Sequence, residues 1–112
     1  MSAATYNFNL DQGTDFALEM IMKEDSVVKN LTGYSARSQL RKTKDAPTIA
    51  GSFVCSIPSP TDGKIRMEMS NAVSKDISAG IYYYDLEIYQ GSDSVVVRLL
   101  QGQVTITREI TR

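Results

Sequence analysis

From Tyr6 onward, apolar and polar residues alternate with period two in short runs. That is the pattern of half-buried β-strands, with one face on a core and one in water. Tyr6, Phe8 and Leu10 share one face of a first strand. Phe16, Leu18, Met20 and Met22 line a second, with Asp15, Ala17, Glu19 and Ile21 opposite. Tyr34, Ala36, Ser38 and Leu40 alternate with Ser35, Arg37, Gln39 and Arg41. Ile49, Gly51, Phe53 and Cys55 make the next apolar face, and Ile65, Met67 and Met69 the one after it. Turn residues separate these runs about every ten positions, at Asp11-Gln12-Gly13, Lys23–Ser26, Lys44–Pro47, Pro58–Gly63, Ala79-Gly80 and Gly91–Ser94. Such a rhythm predicts an all-β sandwich or barrel.

Residues 71–78 break the alternation. Asn71 is placed to cap one short helical turn, with Ala72, Val73 and Ile77 facing inward. A segment this short crosses between sheets rather than standing as a helix. The most apolar part follows. In residues 81–89, Tyr82, Tyr84, Leu86 and Ile88 share one parity, and Tyr83, Asp85, Glu87 and Tyr89 the other. The first set is the expected core face, because the second carries two acids. A returning strand begins at Val95. Gln101-Gly102 then either turns a hairpin or bulges one long strand that reaches about Ile110. The long strand is preferred, since Val96, Leu100, Val104, Ile106 and Ile110 keep one parity through the glycine.

Together these elements predict a single domain over residues 1–112. Its class is all-β, an immunoglobulin-like antiparallel β-sandwich of seven to nine strands with one short helical crossover. Tyr82 is a candidate tyrosine corner, its hydroxyl bonded back to the preceding loop. Ordinary core packing of that ring is the equal alternative.

Composition narrows the function. In 112 residues there are 12 Lys plus Arg against 13 Asp plus Glu, no His, no Trp and one Cys. Val, Ile, Thr, Tyr and Phe supply close to a third of the chain, which favours sheet. A net charge of -1 argues against a protein that works by neutralising nucleic-acid phosphates. No apolar run approaches a membrane span. The start, Met1 to Tyr6, lacks the basic and apolar regions of a signal peptide, and a lone cysteine fits a reducing compartment. Asn30-Leu31-Thr32 matches a glycosylation acceptor by chance in that setting.

Candidate chemistry is sparse. Without histidine, acid–base work falls to carboxylates. Asp85 and Glu87, two apart on a strand, lie about 7 Å apart on one face. A carboxylate-only hydrolase is thus conceivable, but a solvated or inter-subunit face explains the pair better. Cys55 sits on an apolar parity beside Phe53 and reads as an inert thiol. Pro60-Thr61-Asp62-Gly63 lacks the carboxylate density of a calcium loop, and no phosphate loop exists. No cofactor or metal is expected. Arg37, Arg41, Lys42 and Lys44 form the densest basic patch. Without interleaved aromatics it reads as a solvated or salt-bridging face. The methionine pairs, Met20 with Met22 and Met67 with Met69, read as core. Tyr83 and Tyr89 with the two acids make an aromatic–acidic stripe, a composition suited to protein contact.

The order of several segments is also telling. Asn7-Phe8-Asn9-Leu10-Asp11-Gln12-Gly13 begins the chain, and residues 30–42, Asn-Leu-Thr-Gly-Tyr-Ser-Ala-Arg-Ser-Gln-Leu-Arg-Lys, follow. Next comes Gly80-Ile81-Tyr82-Tyr83-Tyr84-Asp85-Leu86-Glu87, then residues 97–112 with Leu99-Leu100-Gln101-Gly102-Gln103-Val104-Thr105. Over nearly its whole length, from about Tyr6 to Arg112, the chain resembles the small β-sandwich domain of long-tailed bacteriophage tail proteins. That family includes the collar protein to which L-shaped tail fibres attach. Ser74 stands where relatives often have Thr. The resemblance implies a structural virion protein with no enzyme activity: a collar or tail-tip ring subunit, assembled in the host bacterial cytoplasm and resident in the virion tail. Its implied partners are copies of itself and other phage tail proteins, with no nucleic acid and no membrane. The expected contact residues are Tyr83, Asp85, Glu87 and Tyr89, with Gln101, Gln103, Thr105 and Thr107 on the terminal strand. An open edge there would pair with a neighbour by strand addition. The alternative is a free-standing carbohydrate-binding or adhesion module.

Overall fold

The computed structural model describes residues 3–92 and 95–110. The fold is all-β. Among the described residues ten strands occur, in the order β1 (Ala4–Thr5), β2 (Phe8–Asp11), β3 (Phe16–Ile21), β4 (Lys23–Glu24), β5 (Val27–Val28), β6 (Ser35–Arg41), β7 (Gly51–Ser59), β8 (Lys64–Met69), β9 (Gly80–Gln90) and β10 (Val95–Thr107). A 3-10 turn at Pro60–Asp62 and one helical turn, α1 (Asn71–Ser74), complete it. Eight strands form one curled sheet in the order β1/β2-β10-β9-β6-β7-β8-β3, and β4 with β5 makes a separate hairpin. The curl is made by β7. Residues 51–53 pair with β6, while Val54 to Ser59 pair with β8. One bent strand thus serves both halves, and their apolar faces meet across a single core.

Alternation decided which residues fill that core. Ile65, Met67 and Met69 of β8 face Tyr82, Tyr84, Leu86 and Ile88 of β9, all buried. Aromatic rings close the seam where the two ends of the sheet approach. Phe8 of β2 stacks on Phe16 of β3 at 4.9 Å and meets Tyr84 edge-on at 5.0 Å. Each such pair adds about 1 kcal/mol beyond the area it buries. The Tyr82 hydroxyl donates to the Ser78 carbonyl at 2.7 Å, four residues back, so the expected corner bond is present.

Several expectations need correction. The sheet is mixed rather than purely antiparallel, and its eight strands with the separate β4–β5 hairpin make ten among the described residues. β1 and β2 run parallel to β10 in one register, with Ala4 opposite Leu100, Phe8 opposite Val104 and Asp11 opposite Thr107. The edge of β10 expected to be open from Gln101 to Thr107 is therefore filled by the chain's own N-terminal segment. β10 is one long strand, as preferred, and ends at Thr107. Its thirteen residues, at about 3.3 Å each, match the 43 Å long axis of the molecule. Its bulge falls between Arg98 and Leu100, not at Gly102. The extra residue, Leu99, inverts the parity, so Val96 lies on the outer face and is 44% exposed. Ile110 lies beyond the strand and is 91% exposed.

Gly102 has a different task. The Tyr6 N–H keeps its ladder bond to the Gln101 carbonyl at 2.9 Å. The Tyr6 carbonyl leaves the ladder and accepts from the Tyr84 hydroxyl at 2.6 Å. Asn7 Oδ1 takes its place and accepts from the Gln103 N–H at 2.9 Å. This local exchange separates β1 from β2 and leaves the Tyr6 ring 45% exposed, contrary to its parity. A Cβ on Gly102 would lie 2.3 Å from the Tyr6 oxygen, so close approach of backbone requires glycine there.

Two local expectations also shift. Ser70, not Asn71, caps α1, its Oγ accepting from Val73 N–H at 3.4 Å. Ala72 and Val73 point outward, while Ser74 and Ile77 are buried. Ser74 Oγ accepts from Gly13 N–H at 3.1 Å and donates to the Thr14 carbonyl at 2.8 Å, tying the helical turn to the β2–β3 turn. Ile49 precedes β7 and is 46% exposed.

Candidate functional site

The outer face of β6, β9 and β10 gathers residues that lie far apart in sequence. β9 runs down its middle. Arg37, Gln39 and Arg41 of β6 stand opposite Glu87, Asp85 and Tyr83. On the other side, Arg98, Gln101 and Gln103 of β10 stand opposite the same three residues. With Thr5 and Asn7 alongside β10 and Lys44 over Tyr83, they line a polar trough of about 790 Å³. Strand pairing creates this row by row, because a period-two strand repeats its outward residues at the spacing of its neighbours.

The two carboxylates are held by guanidinium groups. Glu87 Oε1 accepts from Arg37 Nε at 2.9 Å, and Asp85 Oδ2 lies 3.4 Å from Arg98 Nε. The Arg37 guanidinium also covers the Tyr89 ring at 4.5 Å, and Lys44 Nζ stands 5.5 Å over Tyr83. Arg41 braces the trough wall, donating to the Ala46 carbonyl at 2.8 Å and to Gln39 Oε1 at 3.4 Å. Burial raises the Asp85 pKa, and neighbouring Glu87 adds to the rise. Arg98, Arg37 and Arg41 oppose it. The trough is a network of cross-strand charge pairs with Tyr83 at one end.

Of the residues expected to make contacts, Tyr83, Asp85, Glu87, Gln101 and Gln103 line the trough. Tyr89 lies beyond them, beneath Arg37. Thr105 stands opposite Ile81. The Thr107 hydroxyl donates to the Asp11 carboxylate at the end of the sheet. The sequence sets the Arg37–Lys44 patch apart from the tyrosines, yet Arg37, Arg41 and Lys44 share the trough with Tyr83. Arg98 was missed because the Leu99 bulge carries it onto the outer face against the apparent parity. Lys42 stays outside, with Nζ 4.9 Å over the Tyr82 ring.

Elsewhere, burial pushes the Cys55 thiol up to about 11; the residue packs against the core, and its Sγ lies 3.8 Å from the Phe53 carbonyl oxygen. A thiol so shifted is scarcely ionised near neutral pH. Among the described residues no group of three or more His, Cys, Asp or Glu is placed to hold a metal ion. No described helix is long and apolar enough to cross a membrane. On the opposite outer face, Arg66 bridges Glu19 at 3.0 Å and Glu68 at 2.7 Å.

No protein-family model matches the chain, and no curated protein matches it in sequence. Among solved structures, it is similar to the crystal structure of Listeria monocytogenes InlP at a TM-score of 0.49 and 10% identity. The match covers 94% of this chain and 28% of that one, so the chain spans less than a third of that protein's length.

Proposed function

We propose that the chain is a structural, non-catalytic subunit of a long-tailed bacteriophage tail, of the collar or tail-tip ring kind. It assembles with copies of itself and with tail-tube or fibre proteins, in the host cytoplasm, and resides in the virion tail. One observation carries this reading. The two segments most specific to the resemblance, Tyr84-Asp85-Leu86-Glu87 and Leu99–Thr105, are paired neighbours, with Gln101 opposite Asp85 and Gln103 opposite Tyr83. Their outward residues form the trough, and their inward ones the core. The same segments thus serve stability on one side and contact on the other.

The mode of assembly is face docking rather than strand addition at β10, whose edge from Leu100 to Thr107 is occupied by β1 and β2. Light scattering coupled to size exclusion over a concentration series tests this. A defined oligomer, seen as rings in negative stain, is expected. A monomer at every concentration would remove the ring. A second reading is favoured by the open trough with Tyr83 among polar side chains: a free-standing carbohydrate-binding module. Monomeric protein with reproducible hits on a glycan array would select it.

A further inference from the structure

The trough is not electrically neutral. It holds Arg37, Arg41, Lys44 and Arg98 against Asp85 and Glu87, an excess of two positive charges. The whole chain has a net charge of -1, so the remainder carries an excess of three negative charges. Arg37 and Arg98 are matched to the two carboxylates. Arg41 and Lys44 are the surplus, and both stand at the Tyr83 end. Among the described residues neither forms an ion pair.

The matching acid lies at one end of the same molecule. The β2–β3 turn, α1 and the segment after β10 meet there. Gln12 ties them, donating to the Ile77 carbonyl at 2.8 Å and accepting from Glu109 N–H at 3.1 Å. Asp15 joins the same corner through Asn71 N–H at 2.7 Å. Asp11, Asp15, Asp76 and Glu109 thus lie on segments that meet at this corner, with Lys75 and Arg108 next to them in sequence and Lys42 Nζ beside Gly80. The corner is richer in acids than in bases, opposite in sign to the trough.

We propose that the trough is the socket for the acidic corner of a second copy of this chain. This rests on the self-assembly reading and specifies its contact. Socket and corner are different patches, so the interface is heterologous and propagates head to tail, closing into a ring when the rotation allows. Complementary charge sets the register of such a contact and suppresses wrong pairings. Like charges brought together at it weaken association by roughly a hundredfold or more.

The test is a charge swap read by light scattering. One variant reverses the socket (Arg41→Glu with Lys44→Glu), the other the corner (Asp76→Lys with Glu109→Lys). Each is expected to run as a monomer where the wild type assembles, with a native circular dichroism spectrum. An equimolar mixture of the two is expected to assemble, because each reversed patch then finds its opposite. Lys44→Glu alone, at an exposed position, gives a smaller loss in the same direction if the double variant misfolds. If wild type assembles and the socket variants assemble equally well, the socket assignment is overturned while self-assembly stands. If both variants are monomeric and the mixture stays monomeric, the acidic corner is not the occupant. If the wild type is monomeric at all concentrations, the assembly reading itself fails. Monomeric wild type that binds an acidic glycan would assign the socket to that ligand instead.

Discussion

The parallel N-terminal edge is the least expected feature of the fold, and Gly102→Ala probes it. The new methyl would lie 2.3 Å from the Tyr6 carbonyl oxygen and 2.7 Å from Asn7 Oδ1. An ordinary carbon–oxygen contact is roughly 3.3 Å or more, so the edge must retreat by about 1 Å. Three hydrogen bonds hold that edge at this point: Tyr6 N–H to the Gln101 carbonyl, Gln103 N–H to Asn7 Oδ1, and Tyr84 hydroxyl to the Tyr6 carbonyl. At about 1 kcal/mol each, their loss costs about 3 kcal/mol. With an m-value of roughly 1.5 to 3 kcal/mol/M, the urea midpoint falls by roughly 1 to 2 M. Gly33→Ala is the control. Gly33 has a φ of +87° but its nearest neighbour, Gln90 Nε2, would be 3.9 Å from a new methyl. It therefore pays only backbone strain, about 1 to 2 kcal/mol. Urea unfolding of both variants separates steric from conformational cost. A Gly102→Ala variant no less stable than Gly33→Ala would mean that the chain does not cross there, and the parallel edge would be wrong.

Other outcomes follow from single contacts. Ser74→Ala strands the Gly13 N–H and the Thr14 carbonyl, and thermal melts should show a loss of about 1 to 3 kcal/mol. Ser74→Thr tests whether the buried site has room for a methyl, as a retained melting temperature would indicate. Burial raises Cys55 from 9.0 to about 11 and Tyr84 from 10.0 to about 12. Both groups keep their protons longer when folded, so their contribution is intact below pH 9 and is lost as pH rises through 11 and 12. Cys55→Ala should flatten the first part of that decline and Tyr84→Phe the second, measured by urea midpoints across pH. Native Cys55 should also react slowly with a thiol reagent at pH 8, at a rate that rises on unfolding. Fast native labelling would contradict its burial.

Where one face is buried and the other wet, the alternation of the chain was enough. The inner residues of β3, β8 and β9 fall where the period-two reading puts them. That reading fails at places where a single residue changes the count or a partner arrives from afar. Leu99 is one inserted residue in an apolar run, with no glycine or proline to mark it, yet it moves Arg98 to the outer face. Gly102 did carry a signal, but glycine in a strand marks either a bulge or a close backbone approach. Only the arrival of Tyr6 from 96 positions away selects the second. The parallel pairing of β1 and β2 has no local signature at all, since residues 4–11 alternate alike whatever edge they join. The candidate site was legible in pieces. The tyrosine–acid stripe and the Arg37–Lys44 patch were visible separately. Their union depends on β6 and β10 flanking β9, which is a matter of strand order rather than sequence pattern.

The central claim is that the outer face of β6, β9 and β10 is buried between subunits. Hydroxyl-radical footprinting with mass spectrometry, on dilute and concentrated protein, tests it directly. Tyr83, in the trough, should lose reactivity on assembly, while Val27 on the β4–β5 hairpin, 67% exposed, keeps it. Unchanged oxidation of Tyr83 alongside protection of Val27 would contradict the claim.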